Sequence, residues 1–171
     1  LADAELGRRD DAQRWLRSLV DAIHELPRNG IWLPALAVAS VAASLLEDPD
    51  SAASVHPLLL PYADRAIVMS VPHPVMCFGS ASLYVALLEA VMSRWEEANE
   101  HFGSAIRANT RLGARSLLAR TQYEYARMLS RRGRAQDRSR ALGLLDRAAA
   151  TATALGMDAV SREIERLREL D

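Results

Sequence analysis

The 171-residue chain is half apolar and one quarter charged, with a formal net charge of −1, which is enough for one compact domain with its own core. All 21 basic residues are arginine, so a Walker A P-loop, a Schiff-base lysine and the catalytic lysine of a kinase are excluded from this segment. Cys77 is the single cysteine, which rules out an internal disulfide and a four-thiolate zinc site and fits a reducing cytoplasm.

Aromatic residues make up 5% of the chain, β-branched residues are sparse, and alanine, leucine, arginine and glutamate dominate. That composition predicts an all-α protein. The amino end has neither the basic start nor the apolar core of a signal peptide, and no run of about 18 apolar residues occurs, so neither secretion nor a membrane span is expected. "ADAELG" reads as the end of a helix whose start is missing, as in a piece cut from a longer protein.

Along the chain, "LGRRDDAQRWLRSLV" sets Ala12, Leu16 and Leu19 at gaps of four and three, the spacing of one helical face. "PRNG" at 27–30 and "EDPDS" at 47–51 bracket an apolar helix, "PALAVASVAASLLED". Next come Val55, Leu59 and Tyr62, interrupted by Pro57 and Pro61, which predict a short or bent helix because proline removes a hydrogen bond and crowds the preceding turn. Residues 62–79 are the least regular stretch. "AIVMSV" has strand-like composition with no visible second strand, so the stretch reads as a connector with part-helical character.

Beyond it, "GSASLYVALLEAVMS" and "LLARTQYEYARMLSRRG" are helical runs. "RWEEANEHFGSAI" aligns Trp95, Ala98, Phe102 and Ala105, and "RSRALGLLDRAAA" aligns Ala141, Leu145 and Ala148. Gly113 and Gly156 each follow an apolar turn, as left-handed helix caps require. A closing helix is predicted near 158–170.

The small, large, small pattern recurs: Ala98 to Ala141 is 43 residues and Ala12 to Ala98 is 86, with the proline-broken copy near position 55 between them. Ala86, Trp95, Ala98, Phe102 and Ala105 meet the small, aromatic and large apolar positions of a tetratricopeptide repeat. "SRWEEANEHFGSAIRANTRLGARSLLARTQYEYARMLSRRG" resembles the carboxy-terminal helical repeats of large bacterial signalling ATPases, among them LuxR-type transcriptional regulators and ATPase-linked adenylyl cyclases of actinobacteria. The arginine-for-lysine and alanine bias of a GC-rich genome accords with such a source. The resemblance implies a tetratricopeptide-like right-handed α-solenoid of irregular helix pairs over 1–171. It also implies a non-catalytic interaction or sensor module without cofactor, whose partner is a protein, a peptide, other domains of the same polypeptide or a second copy of the chain. A small-molecule inducer domain is the alternative.

For chemistry, the stripe around Trp95 and Phe102 reads as core packing between helices. His24, His56, His73 and His101 show no three- or four-residue pairing, so no metal site is expected, and His101 reads as a polar-edge residue. The carboxylates read as solvated helix faces. Charge is unevenly placed: residues 103–150 hold eleven arginines against Glu124, Asp137 and Asp146. Arg120, Tyr123, Arg127 and Arg131 fall on one helical face, which the repeat resemblance makes the concave, ligand-facing side and which suits an acidic partner. Direct nucleic-acid contact is disfavoured, because few aromatics interleave the arginines.

Overall fold

The computed structural model describes residues 9–70 and 74–170. "ADAELG" and His73 therefore lie outside the described residues. Among the described residues there are eight α-helices, a single 3-10 turn and one two-stranded antiparallel sheet. The chain divides into two compact units, Leu1–His101 and Phe102–Asp171.

In the first unit, α1 (Arg9–Glu25) is strongly amphipathic and buries Ala12, Leu16, Val20 and Ile23. The stripe thus continues through Val20, and Leu19 is only half-buried. Helix α2 (Trp32–Leu46) is apolar nearly all round and packs against α1, against α3 (Pro49–Leu59) and against α4 (Ala81–Val91). A helix without a polar face has to be covered in this way. Asp48 caps α3 by accepting from the Ser51 amide at 3.1 Å, and Pro49 opens the first turn. With Pro57 inside it, α3 lasts eleven residues and passes into the 3-10 turn Leu60–Tyr62, as the prolines predict. Val55 and Leu59 are fully buried.

The connector expectation for 62–79 is corrected. Ala66–Ser70 (β1) pairs antiparallel with Pro74–Ser80 (β2), with Ala66 opposite Ser80 and Val68 opposite Cys77. The second strand escapes a composition reading because "PVMCFGS" carries Pro74 and Gly79; proline is tolerated at the first residue of a strand. A lone hairpin is marginal in water. This one is anchored by fully buried Ile67, by the Ala81 amide donating to the Arg65 carbonyl at 2.9 Å, and by the Ser82 hydroxyl donating to the Ala63 carbonyl at 2.6 Å. The Tyr84 hydroxyl adds a 2.7 Å bond to the Phe78 carbonyl.

At Gly30 the backbone lies so close to Ser70 that an added Cβ would stand 2.2 Å from the Ser70 carbonyl oxygen. Gly30→Ala should therefore displace the hairpin end and lower stability by roughly 1–3 kcal/mol in thermal denaturation. An unchanged melting temperature would show that this approach does not matter.

Helix α5 (Trp95–Arg111) contains the division between the units. Ala98 is fully buried in the first unit, and Phe102 and Ala105 are fully buried in the second. Enlarging a filled site forces rotamer and backbone strain, so Ala98→Leu is expected to cost about 1–3 kcal/mol in denaturant unfolding.

In the second unit, α6 (Arg115–Arg132) packs against α7 (Asp137–Leu155), and α7 against α8 (Asp158–Leu170). Gly113, Gly133 and Gly156 close their helices with φ of 63°, 69° and 64°, the left-handed geometry of a helix cap. Phe102 stacks on Tyr125 with ring centres 5.0 Å apart, and the Arg140 guanidinium lies 4.7 Å from the Tyr125 ring centre. Asn109, fully buried, donates to the Thr121 hydroxyl at 3.0 Å.

Candidate functional site

The stripe residues are withdrawn from solvent to different degrees. Ala12, Leu16, Ala86, Ala98, Phe102, Ala105, Ala141, Leu145 and Ala148 are buried, and Trp95 is half-buried. Apart from the indole N–H of Trp95, no side chain in that set carries a polar group for a ligand.

The arginine face is less open than its spacing suggests. Tyr123 is buried, Arg120 and Arg127 are half-buried, and Arg131 is exposed. Glu124, one residue beyond Tyr123, is buried between the two half-buried arginines. Arg120 Nε lies 3.2 Å from its Oε1, and Arg127 Nη2 lies 2.9 Å from its Oε2. Arg120 also reaches Glu163 of α8 at 2.5 Å and lies 5.5 Å from the Tyr123 ring centre. Burial pushes the Tyr123 hydroxyl's pKa up, and the neighbouring Glu124 charge adds to it. Two of the three guanidinium groups are thus turned toward acids of their own unit. Glu124 was legible as an acid at i+4 from Arg120, but Glu163 is 43 residues away and no local spacing points to it.

A different polar cluster lies inside the first unit. Glu89 on α4 is buried, with 3% of its side chain exposed, and both carboxylate oxygens are engaged. His56 Nε2 on α3 lies 3.1 Å from Oε1, and His101 Nδ1 on α5 lies 2.8 Å from Oε2. Burial pushes the Glu89 pKa upward, but the hydrogen bonds from His101 and His56 and their charges outweigh it and hold the carboxyl below its usual range. The Glu89 hydrogen bond raises His101, against a smaller opposing effect of burial.

Two expectations are corrected here. His101 is a partner of a buried carboxylate and no mere edge residue, and the acids are not all solvated. The sequence did carry one signal: Glu89 is the only charged residue in α4, and a lone acid in an apolar helix needs partners once buried. Its partners come from two other helices, and their identity is not local information.

Among the described residues, no group of three or more His, Cys, Asp and Glu side chains is arranged to hold a metal ion. Nor is any helix among them long and apolar enough to cross a membrane. The fold and its clusters define a mostly helical protein with one small antiparallel hairpin. No family model matches the chain, and no curated protein or solved structure matches it significantly.

Proposed function

We propose that the chain is a tetratricopeptide-like α-solenoid segment acting as a non-catalytic protein-interaction or sensor module of a bacterial signalling ATPase or transcriptional regulator. The observation supporting this reading is the repeated stripe: Ala98, Phe102 and Ala105 on one helix and Ala141, Leu145 and Ala148 on another are all buried. Small residues let helix backbones approach, and the large one fills the gap between them. Side chains used up in this way build a scaffold, and function then resides on the faces the scaffold exposes. The module's role would be to couple ligand or partner occupancy to a remote output in the same polypeptide or its complex.

The test is a thermal-shift panel of acidic peptides, sugars and nucleotides on the purified chain, with sedimentation over a concentration series. A ligand at 100 times its Kd should add about 2.7 kcal/mol of stability by mass action. A response to a sugar or nucleotide would favour the inducer-binding version, and a response to peptide or self-association the interaction version. A chain that is monomeric throughout and insensitive to every ligand would sink the proposal.

A further inference from the structure

A cleft of about 500 Å3 opens beside the start of α1, within the size range of small-molecule sites. Arg9, Gln13 and Arg17 of α1 line one wall, and Glu47, Asp48 and Asp50 line the other, where α2 gives way to α3. Gaps of four residues place the first three on one face of the helix, along about 12 Å of its length. The cleft lies wholly within the first unit.

Part of this lining is already engaged within the protein. Arg9 donates from Nη2 to the Leu46 carbonyl at 2.6 Å, which ties α1 to the end of α2. Both Asp48 oxygens are taken by Ser51, Oδ1 by its amide at 3.1 Å and Oδ2 by its hydroxyl at 3.2 Å. The side chains of Gln13, Arg17 and Asp50, by contrast, have no hydrogen bond or ion pair among the described residues. Arg17 and Asp50 carry opposite charges on one cleft and still do not pair, so the gap between them exceeds the roughly 4 Å reach of an ion pair. The lining thus presents an open guanidinium on the α1 wall and an open carboxylate on the α3 wall, both exposed.

A guanidinium fork matches a ligand carboxylate, and a carboxylate accepts hydrogen bonds from a ligand ammonium. Gln13, with both a donor and an acceptor, suits an amide group. A simple anion is disfavoured, because two arginines face three acids. A simple cation would leave Arg17 unmatched. A molecule with one negative and one positive pole satisfies both walls at once.

We propose that this cleft binds a zwitterion of the amino-acid type, with its carboxylate on Arg17, its ammonium on Asp50 and Gln13 beside them. The proposal gives the sensor reading a ligand class and rests on that reading. The shared chemistry belongs to a free amino acid and to a short peptide with unblocked ends. An extended tripeptide spans about 10 Å, closer to the length of the α1 wall than a single amino acid.

Alanine and trialanine are each titrated into the full chain at constant ionic strength, with calorimetry and thermal shift as readouts. Trialanine is expected to bind the tighter; alanine binding at least as tightly would assign the cleft to a free amino acid. N-acetyl-trialanine, without the ammonium, and trialanine amide, without the carboxylate, should each bind about tenfold more weakly, as expected for loss of a charged hydrogen bond. Arg17→Gln should weaken trialanine by a similar factor and leave the affinity of the amide unchanged. Asp50→Asn should weaken trialanine and leave the affinity of the acetylated peptide unchanged. Those pairings assign each pole to its residue. Arg147→Gln, at an exposed position of the second unit, should leave binding as it is.

No binding of either zwitterion would overturn the site. So would blocked peptides that bind as tightly as trialanine, or losses in Arg17→Gln and Asp50→Asn no larger than in Arg147→Gln. A chain that ignores both zwitterions but responds to another ligand of the panel loses this site and keeps the binding-module function.

Discussion

Replacing Glu89 by alanine should lower the stability of the first unit by about 3 kcal/mol, the low end of what breaking a buried ion pair costs, since His101 is partly open to solvent. The substitution leaves His56 and His101 without the carboxylate that joins them, at 3.1 and 2.8 Å, across three helices. Glu89→Gln keeps the shape and loses the charge, so it should cost less and remove most of the pH dependence.

The direction of that dependence follows from the two shifts. His101 is raised above its ordinary 6.5, so its contribution is fully present below pH 6.5 and is lost as pH climbs through the folded value. Glu89 is lowered beneath 4.5, so its contribution is present above pH 4.5 and is lost as pH falls through its folded value. The stability gap between the natural chain and Glu89→Gln should therefore be widest between pH 4.5 and 6.5 and shrink on either side. Parallel curves of melting temperature against pH for the two proteins would refute the cluster's role. An NMR titration of the His101 ring gives an independent reading, expected above 6.5.

Phe102→Ala is expected to cost about 3–5 kcal/mol. Phe102 is fully buried and lies nearly parallel to Tyr125, with the ring planes 8° apart. Truncation removes the ring's transfer energy, leaves a cavity and strips Tyr125 of a stacking partner worth roughly 0.5–1.5 kcal/mol within that total. For a chain of this length the melting temperature should fall by about 10 °C. Phe102→Leu, which retains most of the volume, should cost distinctly less. A loss below about 1 kcal/mol in Phe102→Ala would mean that the pocket collapses around the missing ring, and that the stripe contributes little to the fold.

Much of the helical framework was legible because helix formation is recorded over short distances. Ala12 and Leu16 stand at the pitch of one face, although that face runs on through Val20 and Ile23 and leaves Leu19 half-buried, and Ala141, Leu145 and Ala148 repeat in the same way. Gly113 and Gly156 mark ends because few other residues adopt a left-handed backbone cheaply. Pro57 and Pro61 announce a short helix for an equally local reason. The hairpin was not legible in the same way. Val68 pairs with Cys77, and β2 starts at a proline and contains a glycine, so its identity as a strand rests on the partner it meets.

The sequence by itself determined which stretches are helical, where most of them stop and many of the side chains withdrawn into the core, since turn geometry, backbone preference and apolar spacing act within a few residues. Only the tertiary structure decided which charges meet. Glu89 takes His56 and His101 from neighbouring helices, Arg120 closes on Glu163 43 residues away, and Arg132 occupies Asp137 across the turn between α6 and α7. A charge acts on whatever lies within a few ångströms, and that neighbourhood exists only once the helices have packed.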